Sequence, residues 1–448
     1  MEARTLRLVL PPELWDHVVD NLSSDRPSLG ACGLTQRAWV ASTRRHLFHD
    51  IILKGTARCE QFRELIIASS STGTGIARYV CDVMLKDVCL HVHVSRLEYP
   101  NTSDVPLLEK TLSLLPNVDC LCLWDVDVQW WEVLTARTGD ALDGGYPDLP
   151  LQSLFTLPRL QTLYVSPCVA FDSLSDLVLL LAAFPQASSL QLHDLSVKHP
   201  GPARWPPLLP WNRNVDHESL ICIRNLCVTT FREMARLRSA LRQPPFRCAL
   251  QKLSWTFRPI HFVEPEEDVD TLMDVLRDAE STLEELKIIC IAQSNFDVFP
   301  ALSTRMDLSL QSRLRILRVH LLYAMEATSN PYQMSFPVCL SRTPTSLRAL
   351  HLDIQLSTSP DNTTLPPLDW SSLDDTLTLL HKKNPSLVVY MRFDYGLLRQ
   401  NGRLPEAAQP LRSQISSALR VGLRVRLVVG GYTCGRGHSV LQDKLYWL

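Results

Sequence analysis

One short pattern of apolar and polar positions recurs along most of the chain. Leu115-Pro116-Asn117-Val118-Asp119-Cys120-Leu121-Cys122-Leu123 returns as Leu157-Pro158-Arg159-Leu160-Gln161-Thr162-Leu163-Tyr164-Val165, and again over 184–192, from Phe184-Pro185 to Leu190-Gln191-Leu192. Shorter copies keep its core: Leu250, Leu253 and Trp255; Leu283, Leu286 and Ile288; Leu314, Leu317 and Val319; Leu347, Leu350 and Leu352. Side chains alternate along a strand, so the order apolar-x-x-Leu-x-apolar puts its last two apolar groups on one face of a short strand. Between copies, residues 171–184, 229–241, 266–280 and 369–383 show apolar positions at three-to-four spacing, which predicts helices. Thr230 is the expected cap of the second, and Pro116, Pro158, Pro185 and Pro385 separate the helices from the strands that follow. The result is an α/β chain in which strand, loop and helix follow one another in a fixed order. The central leucines at 121, 163, 190, 253, 286, 317 and 350 are unevenly spaced, and the long interval before Leu253 has room for a degenerate unit near 222–228. Residues 387–395 and 423–429 read as closing strands, and 430–438 as a flexible, turn-rich tail. The polar or proline-rich interruptions at 138–150, 199–210 and 357–367 read as loops.

The N-terminal stretch from Leu10 to Phe48 follows another period. A helix should start at Leu10-Pro11-Pro12, since proline is preorganised for a first turn. Leu14, Trp15, Val18, Val19 and Leu22 then share an apolar arc of roughly 140°, opposite Glu13, Asp16, His17, Asp20 and Asn21. A second short helix is expected over 27–34 with Asp25 as cap, and a third over 35–47 carrying Trp39 and Val40. Three helices of this size cannot enclose so many leucines and tryptophans, so part of the apolar face should be left for a partner.

The same stretch resembles an F-box, the helical module that docks on the Skp-family adaptor of a cullin-RING ubiquitin ligase. Leu10, Pro11, Glu13, Leu14, Leu29, Cys32, Leu34 and Trp39 match that pattern, and Arg44-Arg45-His46-Leu47-Phe48 resembles the ending common in the large fungal F-box families. It departs at Thr35-Gln36-Arg37, where an apolar-Cys-basic run is more usual, and at Gly30 and Gly33. Each glycine weakens the second helix by up to about 1 kcal/mol. The repeated phrase is similar to irregular leucine-rich repeats, whose parallel strands line the inside of a solenoid with helices outside. The usual ladder asparagine is missing, and only Cys168 falls where it would sit. A doubly wound open sheet is the alternative fold, disfavoured because no glycine fingerprint follows the first strand. The expected division is 6–53 for the F-box-like helices, 54–429 for the repeats and 430–448 for the tail.

The resemblance implies a substrate-recognition subunit of an SCF-type ubiquitin ligase, with catalysis left to the ligase partners. Leu10, Pro11, Leu14, Trp15, Leu29, Cys32, Leu34 and Trp39 would contact the adaptor. The client would meet the residues between and after the repeat leucines. One row reads Cys122, Tyr164, Gln191, Ser254, Lys287, Arg318 and His351; the next reads Trp124, Ser166, His193, Thr256, Ile289, His320 and Asp353. Arg315 and Arg348 add to the basic later half. Trp124, Tyr164, His193, Lys287, Arg318, His320, Arg348 and His351 are the client-binding candidates, and clustered arginines suit an acidic or phosphorylated segment. The competing account pairs these arginines with Glu284, Glu285 or Asp353 in a solvated face. A repeat scaffold with no ligase role is the functional alternative.

Composition narrows the field. With 45 basic and 47 acidic residues the formal charge is −2, which argues against a general nucleic-acid or membrane-surface binder. The run Leu6 to Leu10 is broken by Arg7 and stopped by Pro11 and Pro12, so no secretory leader is expected. The longest apolar run, 177–184, is far shorter than the ~20 residues that span a bilayer. Thirteen scattered cysteines, Cys120, Cys168, Cys222 and Cys290 among them, fit reduced thiols in the cytosol or nucleus. No cofactor, metal or catalytic group is expected. Cys434 and His438 lack a second ligand pair, His91-x-His93 reads as one face of a strand, and Gly430-Gly431 lacks a phosphate-loop ending. No Gly-x-Ser-x-Gly elbow occurs.

Overall fold

A computed structural model describes residues 11–71, 75–91, 105–129, 157–166, 169–171, 174–182, 184–197, 220–229, 233–243, 246–258, 264–292, 298–324, 340–357, 369–395, 412–430, 432–435, 438–441 and 444–447. The chain forms two compact units, Met1–Leu190 with Leu195–Ile221, and Gln191–Asp194 with Cys222–Leu448.

The first unit begins with α1 (Pro12–Asn21), α2 (Arg26–Thr35), a 3₁₀ turn (Arg37–Trp39) and α3 (Val40–His49). Next come β1 (Asp50–Lys54), α4 (Gly55–Ser71), β2 (Asp82–Lys86), β3 (Cys89–His91), α5 (Val105–Leu112), β4 (Cys120–Trp124) and β5 (Asp127–Gln129). They are followed by β6 (Thr162–Val165), β7 (Ala170–Phe171), α6 (Leu174–Ala182), β8 (Ser189–Leu192) and β9 (Ser196–Val197). The strands order as β1-β2-β4-β6-β8 and, in a smaller sheet, β3-β5-β7-β9. Pairing is parallel from β1 to β6 and throughout the smaller sheet.

The repeated phrase accounts for this architecture. Leu121, Leu123, Leu163 and Val165 are fully buried, while Cys122 and Tyr164 between them are only half-buried. The phrase's leading residues Leu115, Leu157 and Phe184 are buried as well, so the turn before each strand is anchored along with the strand. Each step from the larger to the smaller sheet after β2, β4 and β8 uses an aspartate: Asp87, Asp125 and Asp194 have φ of 52°, 55° and 45°. Aspartate tolerates this left-handed conformation better than most residues, and the next residue, Val88, Val126 or Leu195, is buried.

The second unit contains β10 (Ile221–Thr229), α7 (Met234–Leu241), β11 (Phe246–Phe257), α8 (Pro265–Asp278), β12 (Glu285–Ala292), α9 (Phe299–Arg305) and β13 (Ile316–Ala324). It continues through β14 (Ala349–Ser357), α10 (Trp370–Lys383), β15 (Val388–Tyr395), α11 (Ser416–Arg420) and β16 (Arg424–Gly430). It ends with β17 (Tyr432–Gly435), β18 (His438–Leu441) and β19 (Lys444–Trp447). From β11 to β16 every neighbour is parallel and follows chain order; β19 pairs antiparallel to β16, and β17 with β18. A strand order that never reverses, if its crossovers take the usual right hand, places successive connecting helices on one face of the sheet. A doubly wound sheet would need a reversal.

Those helices are tied to one another. Arg238 of α7 reaches Asp274 and Asp278 of α8 at 2.8 and 2.7 Å, and Arg305 of α9 pairs with Asp270 of α8. The buried carboxylate of Asp374 in α10 accepts from the Ser417 and Ala418 amides at 2.9 and 2.7 Å, satisfying the start of α11.

Most expected elements are present with shifted ends. The degenerate unit expected near 222–228 is β10, and Asp369 caps α10 through the Ser372 amide at 3.0 Å. The helix expected from residue 229 starts at Met234 because Thr229 still belongs to β10; Thr230 lies outside the described residues. So do Cys168, the interruptions at 138–150 and 199–210, and residues 358–367. The tail expectation needs correction: residues 432–435 and 438–441 form a hairpin rather than a flexible turn. Among the described residues, no helix is long and apolar enough to cross a membrane.

Candidate functional site

Two surfaces carry the residues singled out by the sequence. The first is formed by α1 to α3. Pro11 opens α1, its carbonyl accepting from the Leu14 amide at 3.0 Å, and Asp25 caps α2 through the Ser28 amide at 3.2 Å and the Ser28 hydroxyl at 2.6 Å. His46 of α3 meets Asp20 of α1 at 2.7 Å, Ser42 of α3 donates to Asp16, and Arg26 of α2 donates to the Asp50 carbonyl at 3.1 Å. The polar side of the trio is thereby laced together. Its apolar side divides: Val19 and Leu29 are buried, whereas Leu14, Val18 and Leu34 remain 48%, 46% and 92% exposed. The half-buried rings of Trp15 and Trp39 pack at 4.7 Å between centroids. Cys32 is half-buried, and Leu10 lies outside the described residues.

The client-binding candidates fall in both units. Trp124 and Tyr164 belong to the first, where the Lys86 ammonium sits 5.6 Å from the centre of the Trp124 ring. The second unit holds the other six. Strand register aligns Ser254, Lys287, Arg318, His351, Tyr390 and Arg426 in one row, and Thr256, Ile289, His320, Asp353 and Arg392 in the next. Tyr390, Arg392 and Arg426 were not among the candidates, although the apolar alternation of Leu387, Val389 and Met391 carries the signal that extends both rows.

This face is balanced rather than purely basic. Arg318 Nε donates to Glu285 Oε1 at 2.7 Å, and Lys252 Nζ lies 3.6 Å from Glu285 Oε2. Burial works to raise the Glu285 carboxyl, but the Arg318 hydrogen bond and the two cations hold it below its ordinary value. His320 Nε2 is 2.8 Å from Asp353 Oδ2. Burial again opposes, yet His320, Arg392 and His351 keep Asp353 ionised at lower pH than usual. Burial and the Arg318 charge push His351 down, favouring a neutral ring, which stacks on Tyr390 at 4.4 Å and 5°. His193 stands among β10 side chains instead, 3.2 Å from the Thr229 hydroxyl and 3.8 Å from Cys227, and burial lowers its basicity. Arg348 is exposed at the start of β14, next to Arg315 and outside the Arg318 row.

Where α3 meets the first strands, His49 Nδ1 lies 2.6 Å from Asp50 Oδ1 and 3.8 Å from Asp82 Oδ2. Their ligand-type atoms all fall within 4.8 Å of one another. Asp50 and Asp82 are direct cross-strand partners. Burial and the Asp50 carboxylate push Asp82 up to about 6, while hydrogen bonds from His49 and Asp82 outweigh burial and hold Asp50 down. Three such groups fall one short of a structural zinc site, and the hydrogen bonds already account for their proximity. Burial also pushes the Cys120 and Cys122 thiols up to about 11 and 12, so both stay protonated at neutral pH. Comparison with protein-family models, curated proteins and solved structures returns no match.

Proposed function

We propose that the chain is a substrate-recognition subunit of an SCF-type ubiquitin ligase in the cytosol or nucleus. In this reading α1 to α3 form an F-box that engages a Skp-family adaptor, and irregular leucine-rich repeats hold a client protein. The observation that carries it is the split apolar side of the N-terminal helices. Val19 and Leu29 are used internally, while Leu14, Val18 and Leu34 are left to solvent. Buried apolar anchors supply most of an interface's energy, and these are the side chains available to act as such. The reaction is then one of proximity: the chain raises the local concentration of client lysines near activated ubiquitin, and its own residues perform no bond chemistry. The rows from Lys287 to Arg426 and from Ile289 to Arg392 form the client face, with charges of both signs available for complementarity.

A repeat scaffold without ligase function is the second reading. It draws on the complete burial of Leu29 and the Trp15–Trp39 contact, which leave fewer of the expected anchors free. Capture of the adaptor by full-length protein, with Leu14→Asp as comparison, separates the two. Adaptor retained by wild type and lost in the variant supports the ligase reading; no adaptor capture by wild type favours the scaffold.

A further inference from the structure

Arg313, Arg315 and Arg348 line one cavity of about 340 Å³ at the strand-start edge of β13 and β14 in the second unit. Their convergence follows from the repeat. Leu314 and Leu347 plug the core, so the arginines beside them face solvent, and the Arg348 amide donates to the Arg315 carbonyl at 2.8 Å. These two neighbouring repeats therefore stack Arg315 beside Arg348.

The floor is tied down by its own hydrogen bonds. The Asn384 amide donates to the carbonyls of Thr345, at 3.1 Å, and Leu347, and its oxygen accepts from the Ser386 amide at 3.1 Å and hydroxyl at 2.7 Å. Ser346 Oγ donates to the Leu314 carbonyl at 2.9 Å. The three guanidiniums are different. Arg238, Arg305 and Arg318 have carboxylate partners, but among the described residues Arg313, Arg315 and Arg348 have none. Glu284, beside Arg315 in the backbone ladder, forms no ion pair with it. Gathering like charges without a counter-charge is unfavourable by itself and is relieved by an anion.

We infer that this cavity binds a phosphate monoester carried on a protein segment. Several guanidinium forks can share the oxygens of one phosphate, a match that a single carboxylate satisfies less fully. The lining offers only serine, threonine, asparagine and arginine side chains, so it has no wall for a nucleobase or acyl chain. All three arginines lie exposed, accessible to a group borne on a chain. The site does not depend on the adaptor reading; if that reading also holds, phosphorylation selects the client.

The test uses full-length protein at fixed ionic strength and a glycine-serine peptide bearing one phosphoserine, its unphosphorylated form, and inorganic phosphate. The phosphopeptide should bind, the unphosphorylated form should not, and inorganic phosphate should compete. Arg313→Ala, Arg315→Ala and Arg348→Ala should each weaken binding about tenfold, as loss of a charge-assisted hydrogen bond does. Arg224→Ala with Arg247→Ala, at exposed positions on other strands, should leave it unchanged. Unaltered thermal midpoints identify these losses as local. Phosphate-independent binding, equal loss in the control, or no binding of phosphopeptide and phosphate overturns the site. Inorganic phosphate binding as tightly as the peptide overturns the protein-borne ligand and leaves a site for free phosphate.

Discussion

Alanine at Gly30 and at Gly33, three residues apart on α2, should move stability in opposite directions. In a helix interior glycine to alanine is worth about 0.5–1 kcal/mol, because alanine loses less backbone entropy on folding. At Gly30 an added Cβ meets nothing within 4 Å, so the whole gain should appear. At Gly33 it would lie 2.9 Å from Thr43 Oγ1 and 3.6 Å from Thr43 Cβ. Thr43 cannot swing aside without loss. It is 1% exposed, and its hydroxyl donates to the carbonyls of Trp39 and Val40 at 2.8 and 3.2 Å. Overpacking of this kind costs about 1–3 kcal/mol, more than the propensity gain, so Gly33→Ala should destabilise by about 1–2 kcal/mol. Adding Thr43→Ala should recover part of that cost, a coupling that independent sites would not show. A chain of two units need not unfold in one step, so the readout should be local: tryptophan fluorescence from the Trp15–Trp39 pair, or amide exchange in α2. If Gly33→Ala stabilises as much as Gly30→Ala, α2 and α3 do not approach as described and the reasoning fails.

Other perturbations test other parts of the molecule. Asp82 has its folded pKa raised to about 6 from 3.8, so its contribution to stability is complete below pH ~4 and lost as pH rises through about 6. Asp50, held low, acts in the opposite sense below that window. Asp82→Asn should flatten the fall in thermal midpoint between pH 4 and 7 and raise the midpoint at pH 7; an unchanged slope would contradict the raised Asp82 carboxyl. Asp374→Ala orphans the Ser417 and Ala418 amides and should cost about 1–3 kcal/mol, with faster amide exchange over 416–430. Exchange confined to other segments would contradict that role. Leu14→Asp should leave the thermal midpoint nearly unchanged, since Leu14 is 48% exposed, but weaken adaptor capture by about 2 kcal/mol if Leu14 is an anchor. Equal capture by both proteins would count against the proposed F-box.

The phrase with alternating leucines was legible because every copy obeys one strand period, even where the intervening helix differs. That regularity placed β4, β6, β8 and the strands from β11 to β14, and the gap it left marked β10. The smaller sheet was not legible: β7 and β9 have two residues each, too few for any period. A subtler signal was available. Lys86-Asp87-Val88, Trp124-Asp125-Val126 and His193-Asp194-Leu195 repeat an aspartate before a buried apolar residue, marking the turns where a ladder asparagine was sought. The charged face was legible only in part. Alternation identified Lys287, Arg318 and His351 as neighbours, and the solvated-face account had already named Glu285 as a carboxylate partner, which Arg318 engages; parity alone could not reveal that Arg348 belongs to the strand-start edge.

The reversed strand β19 also covers the parallel margin of β16. A run of parallel strands offers its last edge to any chain that can continue the same direction and register, and such an edge invites self-association. β19 occupies the flank of β16 over Arg426–Val429 and points the other way. A second copy adding its own parallel strand there would have to displace it. Deleting residues 444–447 should therefore bare the parallel margin of β16 and favour concentration-dependent oligomers through it.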